Sequence, residues 1–339
     1  MKNKLSVVIP CKNEVKHIEE CIRAIYLCDL PTDIVISVLV VDGMSDDGTR
    51  EKIKALKREY PSLFLLNNKM ELTPYAFNIG VNAIEFDYLQ IIGARHIVST
   101  NYLDECLYYL KNNQNIWCAG GRILNTYTNN TSRIIASAMA TSFGMGVGNF
   151  RTLQKTCFTD TVTSPMYPKF VFEKIGYFDE RLIRNQDDDF NFRVHRAGGK
   201  ILFIHDIFLK YYVRASLKNL RRQFFQYGYW KVFVNKKHKS ITTLRQLVPL
   251  FFVIFLVLLP FSLLVPPIFF YIFSPIFVAY LLLVFVTGFK LIKESKDLLT
   301  GLLVYPTMHV TYGLGYIYGV IDFILLNKTP SDKQKRLSR

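Results

Sequence analysis

The C-terminal third of the chain contains a long stretch without charged side chains. No Asp, Glu, Lys or Arg occurs between Leu247 and Phe289, and Pro266-Pro267 separates two apolar runs within this stretch. Roughly 18 or more uncharged apolar residues in a row exceed what a soluble core uses and match the length of a bilayer crossing. We therefore predict two membrane-spanning helices joined by a tight turn over about residues 247–289.

Basic residues flank this predicted hairpin on both sides. They are Lys231, Lys236, Lys237, Lys239 and Arg245 before it, and Lys290, Lys293 and Lys296 after it. Because loops rich in Lys and Arg stay on the cytoplasmic side, we expect a multi-pass protein of the plasma (inner) membrane with its large N-terminal part in the cytoplasm. The net charge of +15 does not indicate nucleic-acid binding, since the positive charge gathers at the membrane flanks.

A third apolar segment, Leu298–Leu326, is interrupted by Pro306 and several glycines. If it crossed the membrane, the basic tail after it would lie outside, against the charge rule. We therefore expect a broken, re-entrant or interfacial segment. The expected organisation is a cytoplasmic domain over 1–240, membrane helices over 241–327 and a basic tail over 328–339.

The N-terminus and the cysteines are consistent with a large N-terminal part that faces the reducing cytosol. Met1 is followed almost at once by the strand-like run Leu5–Pro10, which predicts that no cleavable signal peptide is present. The six cysteines have irregular spacings without a CxxC pair. We expect buried free thiols.

The part before residue 240 alternates strand-like and helical patterns. The spacing of apolar residues predicts strands over 5–9, 34–41, 63–66 and 88–92, and helices over 14–26, 46–56 and 73–84. This alternation indicates a parallel sheet covered by helices on both faces, which binds ligands at the carboxyl ends of its strands. Three polar loops follow such ends, so we expect one site from residues 10–14, 42–49 and 93–96.

Six motifs follow one another in this part: VVIPCKNE, VVDGMSDDGT, FNIG, the loop after Ile92, Phe178-Asp179-Glu180 with RNQDDDFNFR, and RRQFFQYGYWK. In this order they resemble the family 2 glycosyltransferases of GT-A fold, over residues 4 to about 235. RNQDDDFNFR, FGMGVGNFR and Tyr227-Gly228 resemble the membrane-anchored, succinoglycan-type transferases of bacterial exopolysaccharide assembly. The resemblance implies an α/β, GT-A (Rossmann-like) nucleotide-sugar-binding domain followed by a C-terminal transmembrane helical region.

The first two loops are expected to hold the donor nucleotide, with a UDP-sugar favoured. Asp42 ends a strand, where its carboxylate can accept hydrogen bonds from an imide nitrogen or ribose hydroxyls. Asp47 is either a ligand contact or a cap of the following helix. By resemblance, the backbone of Pro10 and Lys12 and the side chain of Glu14 complete the nucleoside pocket, although Lys12 also fits a solvated loop charge.

Asp187 is the candidate catalytic base. Inverting transfer requires one carboxylate that takes the proton of the acceptor hydroxyl. Successive helical positions point about 100° apart, so Asp187, Asp188 and Asp189 cannot all face one substrate. We interpret Asp188 and Asp189 as first-turn acids, with Asp189 also a candidate to orient the site; the alternative is a solvated helix start for all three.

The sequence departs from the family's pattern at the loop that normally carries the metal-binding DxD motif. Gly93-Ala94-Arg95 stands there, so a requirement for Mg²⁺ or Mn²⁺ is open. Either Arg95 pairs with the diphosphate in place of the metal, or it lies at the rim and pairs with an acid such as Asp104. In the second case the donor phosphates hold the metal together with another side chain, which is His96 if His96 is not structural.

The segment before the membrane resembles a degraded QxxRW motif of processive synthases. We expect it to close over the diphosphate and acceptor through Arg222, Gln223, Gln226 and Tyr227. A second interpretation, compatible with the first, is an interfacial helix in which Arg221, Arg222, Trp230 and Lys231 contact headgroups.

The sequence thus predicts an inverting, membrane-anchored glycosyltransferase. The resemblance implies a polyprenyl-diphosphate-linked saccharide acceptor in the biosynthesis of exopolysaccharide, capsule or O-antigen. A processive polysaccharide synthase and a catalytically impaired scaffold homologue are the alternatives. The altered QxxRW-like segment argues against the first, and the retained Asp42 and Asp187 argue against the second.

Overall fold

The computed structural model describes residues 2–147, 150–242, 244–264 and 268–330. The chain divides into two compact units, Met1–Leu124 with Gly148–Tyr212, and Asn125–Val147 with Val213–Arg339. Pro266-Pro267, the end of the basic tail from 331 onward and part of the FGMGVGNFR motif lie outside the described residues. The boundary predicted near residue 240 stays a prediction, since compactness does not define a functional domain.

The first unit is built on a mixed sheet. Its strands are β1 (Asn3–Cys11), β2 (Ile34–Asp42), β3 (Leu63–Asn67), β4 (Tyr88–Ile91), β5 (His96–Val98), β6 (Ile116–Thr126), β7 (Cys157–Thr159), β8 (Thr163–Pro168) and β9 (Lys200–Tyr212). Their spatial order is β3-β2-β1-β4-β8-β6-β9-β5, and β7 pairs with β9.

The sheet is parallel in its first half only. β1 pairs in parallel with β2 and β4, and β2 pairs in parallel with β3, as the strand and helix alternation predicts. β8 then runs antiparallel to both β4 and β6, and β5 and β7 run antiparallel to β9. The parallel arrangement is therefore confirmed for β1 to β4, the four strands on which the prediction rested, whereas the antiparallel strands beyond β4 were not predicted.

Helices cover both faces of this sheet. They are α1 (Ile18–Tyr26), α2 (Thr49–Glu59), α3 (Thr73–Ala83), α4 (Tyr102–Asn112), α7 (Lys169–Ile175) and α8 (Gln186–Arg196). Apolar side chains from alternate strand positions form two cores: Val7 and Ile9 lie in one, whereas Val8 lies in the other. α1 begins at Ile18 instead of Glu14, because the residues before it form the first polar loop.

The cysteines are free thiols, as predicted. All six are unpaired; five are buried, and Cys157 is partly exposed. Burial raises the pKa of the Cys11 thiol above its ordinary value, and the negative charges of Asp42 and Glu14 add to the effect. Cys11 is therefore a protonated, unreactive thiol at neutral pH.

The second unit is helical. It contains α5 (Asn130–Met139), α6 (Ser142–Met145), α9 (Leu217–His238), α10 (Leu247–Phe261), α11 (Ile268–Phe289) and α12 (Leu298–Gly319). Within the described part of the chain, three helical segments are long and apolar enough to cross a membrane: Leu244–Leu264, Ile268–Phe289 and Ser295–Leu325. Most large apolar side chains of α10 and α11 are exposed, as lipid-facing side chains are.

The third apolar segment is one continuous helix, so the expectation of a broken segment is wrong. α12 runs through Pro306 and continues as a π-helical stretch, Val320–Leu325. Its glycines serve close packing instead: a Cβ at Gly313 would lie 2.2 Å from the carbonyl oxygen of Pro249 in α10, and one at Gly301 would lie 3.0 Å from that of Gly288 in α11. Whether this helix crosses the membrane or lies at its surface stays a prediction.

α9 buries side chains that the interfacial alternative places on headgroups. Trp230 is 1% exposed and Lys231 is 5% exposed, because α9 packs along α12 within the unit. Arg221 and Arg222 are exposed. The headgroup contacts predicted for Trp230 and Lys231 are therefore wrong, and those of the two arginines stay predictions.

Candidate active site

The loop after β1 forms one wall of a cleft of about 210 Å³. Pro10, Lys12 and Glu14, predicted from the sequence, are all in its lining. The opposite wall follows the end of β3 and was missed, although the same strand-end rule points to it. It comprises Asn68, Glu71, Leu72, Thr73 and Ala76.

Lys12 is an anchored side chain, not a solvated loop charge. Its Nζ forms an ion pair with the carboxylate of Glu71, and the two residues lie on opposite walls of the cleft. Glu71 has a φ of 60°, in the left-handed region that non-glycine residues seldom occupy. Such backbone strain persists only where surrounding contacts impose it, and it is common at binding sites.

Asp42 ends β2 and is fully buried. Its carboxylate accepts hydrogen bonds from Arg50 Nη1 at 2.5 Å, from Ser45 Oγ at 2.5 Å and from the Ser45 backbone N–H at 3.0 Å. Arg50 also donates to Asn67 Oδ1 at 2.8 Å, at the end of β3. Asp42 thus ties two strand ends together beside the cleft; contact with a nucleobase stays a prediction.

Asp47 fastens the second loop to the first. Its carboxylate accepts hydrogen bonds from the Thr49 backbone N–H at 3.0 Å, from Thr49 Oγ1 at 2.5 Å and from the Val15 backbone N–H at 3.2 Å. Burial acts to raise its pKa, but the hydrogen bonds from Thr49 and Val15 outweigh this and lower the pKa below its ordinary value. The geometry favours the cap interpretation over ligand contact.

An ion pair joins the first and third loops. Arg95 Nε lies 2.8 Å from each carboxylate oxygen of Glu14. The Glu14 side chain is 14% exposed, and that of Arg95 is 42% exposed. Arg95 therefore pairs with Glu14, which lines the cleft, instead of with Asp104, the partner named in the rim alternative.

His96 is held as a neutral ring behind Arg95. Its Nδ1 lies 2.8 Å from Ser164 Oγ, and the Gly93 backbone N–H points at the same nitrogen from 3.3 Å. Burial lowers the pKa of His96 from 6.5 to about 4, and the positive charge of Arg151 adds to the effect. A Cβ at position 93 would lie 3.0 Å from the ring, so glycine gives the ring its place.

The residues of the third loop do not fit a divalent cation. Hard cations prefer carboxylate and carbonyl oxygens. Gly93 and Ala94 offer no side-chain ligand, and Arg95 brings a positive charge to the loop. Across residues 2–147, 150–242, 244–264 and 268–330, no group of three His, Cys, Asp or Glu side chains is placed to hold a metal ion.

Asp187 lies in the first turn of α8. The residue that precedes this helix, Asn185, has a left-handed backbone conformation with a φ of 60°. The side chain of Asp187 is exposed, that of Asp188 is partly exposed, and that of Asp189 is fully buried. Asp189 accepts hydrogen bonds from Arg193 Nε at 3.1 Å and Nη2 at 3.0 Å. Of the three acids, Asp187 is therefore the one most accessible to an acceptor.

The remaining predicted site residues lie in the second unit, on α9. Gln223 and Gln226 are buried, and Gln223 Nε2 donates to the hydroxyl of Tyr227 at 2.7 Å. Arg222 is exposed. Their roles at the diphosphate or the acceptor stay predictions.

This chain is similar to known glycosyltransferases and to a protein of polysaccharide biosynthesis. The pattern described as "Glycosyltransferase like family 2" matches residues 3–229. A dolichyl N-acetyl-alpha-D-glucosaminyl phosphate 3-beta-D-2,3-diacetamido-2,3-dideoxy-beta-D-glucuronosyltransferase of Methanococcus voltae is 29% identical, covering 67% of this chain and 72% of the relative. The succinoglycan biosynthesis protein ExoA of Rhizobium meliloti is 29% identical, covering 72% of this chain and 74% of the relative.

A solved structure shares the fold. A mannosyltransferase from Pyrobaculum calidifontis, in complex with GDP-Man and Mn²⁺, superposes with a TM-score of 0.60 at 15% identity, covering 94% of this chain and 88% of that chain. The predicted GT-A fold is thereby confirmed. The family match extends over more than half of the chain, so this protein belongs to the family 2-like glycosyltransferases and is a glycosyltransferase.

Proposed function

We propose that the protein is an inverting glycosyltransferase that moves a sugar from a nucleotide-sugar donor to a lipid-linked saccharide at the cytoplasmic face of the plasma membrane. The donor class is a UDP-sugar, and the acceptor is a polyprenyl-diphosphate-linked saccharide of a surface polysaccharide. The names of two relatives support the choice of acceptor, since one relative acts on a dolichyl-phosphate-linked sugar and the other belongs to succinoglycan biosynthesis.

The cleft between the ends of β1 and β3 is the observation that carries the proposal. Pro10, Lys12 and Glu14 line it at the carboxyl edge of parallel strands, where α/β sheets bind nucleotides. The ion pair between Lys12 and Glu71 and the carboxylate network of Asp42 hold its walls in place. A fixed cleft of this kind favours a donor bound in one orientation.

Asp187 is the base in this proposal. The acceptor oxygen attacks the anomeric carbon as the bond from that carbon to the diphosphate oxygen breaks. The diphosphate keeps the electron pair, and Asp187 takes the proton of the acceptor hydroxyl. Attack from the face opposite the leaving group inverts the anomeric configuration, and the products are the glycoside and a nucleoside diphosphate.

The helical second unit fits an acceptor confined to a bilayer. α10 and α11 expose apolar side chains along most of their length, and the basic residues of the adjoining segments suit an anionic membrane surface. A lipid-linked acceptor and an enzyme held in the same bilayer meet at high effective concentration.

The direct test is transfer by purified full-length protein in lipid nanodiscs. A panel of UDP-, GDP- and dTDP-sugars is offered with a polyprenyl-diphosphate-linked saccharide, and release of nucleoside diphosphate is measured with and without the acceptor. The proposal expects release that depends on the acceptor and a product of inverted anomeric configuration by NMR. A product of retained configuration would refute the inverting mechanism, and no transfer from any donor would favour the scaffold alternative.

A further inference from the structure

The leaving nucleoside diphosphate needs a positive partner, and this requirement follows from the proposed function. Its negative charge grows as the glycosidic bond breaks, so cations or fixed hydrogen-bond donors must stabilise it. The third loop does not fit a divalent metal, as its residues show. Within the first unit, the candidates for this partner are the cationic side chains at the carboxyl edge of the sheet.

Most cationic groups at this edge are already engaged. Lys12 is paired with Glu71, and Arg50 is paired with Asp42 and Asn67. Arg151 lies over the ring of Tyr211, at 5.4 Å from its centre. The ring of His96 is neutral at physiological pH.

Arg95 differs from these groups. Only its Nε is used, in the two 2.8 Å contacts to Glu14. Among the residues that the structure describes, none forms a hydrogen bond with Nη1 or Nη2 of Arg95, and 42% of the side chain is exposed. Glu14 lines the cleft, so its ion pair holds Arg95 next to a residue of the cleft wall and leaves the two outer nitrogens available.

We propose that Arg95, oriented by Glu14, stabilises the departing nucleoside diphosphate in place of a divalent metal. A planar guanidinium can donate two parallel hydrogen bonds to phosphate oxygens, and it keeps its charge at any physiological pH. Glu14 reduces the orientational freedom that Arg95 would otherwise lose on binding. The protein therefore binds its nucleoside diphosphate product, and transfers sugar, without added metal.

The test is calorimetric titration of the purified full-length protein with UDP, GDP, CDP and dTDP, first in EDTA and then in Mn²⁺. We expect one of these to bind wild type in EDTA, with a dissociation constant that Mn²⁺ leaves nearly unchanged. Arg95→Ala should weaken this binding about 10- to 100-fold, since a charge-assisted contact is lost. Arg58→Ala, which removes an exposed arginine of α2, should not change it.

Two measurements separate a lost contact from a lost fold. Arg95→Ala should still unfold in one cooperative transition above the assay temperature, although Glu14 loses its partner, and guanidinium ion at low concentration should restore part of its binding. Binding that disappears in EDTA, returns with Mn²⁺ and is unaffected in Arg95→Ala would overturn this inference alone. If wild type bound no nucleoside diphosphate under any condition, the proposed function would fall together with it.

Discussion

Asp187 and Asp189 lie two positions apart in the first turn of α8 and occupy opposite environments. Asp187 is exposed, whereas Asp189 is fully buried against Arg193, with nitrogen to oxygen distances of 3.1 and 3.0 Å. Positions two apart on a helix point about 200° apart, so one turn presents one carboxylate to solvent and another to the core. The run of acids therefore combines a structural carboxylate with an accessible one.

Asp189→Asn should destabilise the protein, because Arg193 would lose its buried carboxylate partner. We expect the free energy of unfolding to fall by about 1–3 kcal/mol, measured by denaturant unfolding in detergent. Asp188→Asn is the matched control on the same turn and should change it by about 0.5 kcal/mol or less. Equal losses in the two variants would show that the ion pair with Arg193 is not the cause.

Asp42 and Arg50 should act as one unit in nucleotide binding. Asp42→Ala removes the carboxylate that holds the ends of β2 and β3, and Arg50→Ala leaves the same carboxylate buried without its partner. Each change should weaken nucleoside diphosphate binding, and the double variant should be no worse than the poorer single variant. Titration of all four proteins measures this coupling; strictly additive effects, or an unchanged dissociation constant in Asp42→Ala, would contradict it.

His96 should make stability depend on pH between about 4 and 6.5. Its pKa is lowered to about 4 in the folded protein, so below pH 6.5 the unfolded chain binds a proton that the folded one does not. Stability from this site is complete above pH 6.5 and is lost as the pH falls towards 4, by up to about 3 kcal/mol. The free energy of unfolding of wild type should therefore fall towards that of His96→Gln as the pH is lowered from 6.5 to 4. Parallel curves would mean that His96 titrates normally.

The packing of α12 predicts the topology of the C-terminus. α12 meets the C-terminal end of α11 at Gly288 and the N-terminal end of α10 at Pro249, two positions that a hairpin places on one side of the membrane. Beyond them it packs along α9, where Tyr229 donates to Asp322 at 2.9 Å. We expect reporters after Lys293 and at Arg339 to be cytoplasmic. An exterior signal at Arg339 alone would make α12 a third span.

The strands β1 to β4 and their polar loops were predictable from sequence because they depend on local signals. Apolar β-branched runs end at Pro10 and Asp42, and the parallel order brings these ends together. Pro10, Lys12 and Glu14 line one cleft. The single site expected from residues 10–14, 42–49 and 93–96 stays a prediction, since the other wall of this cleft comes from residues 68–76. The GT-A fold is confirmed, whereas the roles of the individual site residues remain predictions.

Contacts between distant segments were not predictable. The partner of Lys12 is Glu71, which follows β3, and the pairing depends on how β2 aligns with β3. The partner of Arg95 is Glu14, a pairing that spacing along the chain does not reveal. Residues 125–147 belong to the same compact unit as the apolar helices. No sequence signal predicts this, because it depends on tertiary contacts alone.

The rate of sugar transfer by Asp187→Asn, compared with wild type and Asp188→Asn, tests the central claim most directly. With donor and acceptor saturating, single-turnover measurement should show Asp187→Asn slowed by about 10²- to 10⁴-fold, because a general base is lost. Its affinity for the nucleoside diphosphate should be unchanged, and Asp188→Asn should react at close to the wild-type rate. Near wild-type turnover by Asp187→Asn would contradict the assignment of the catalytic base.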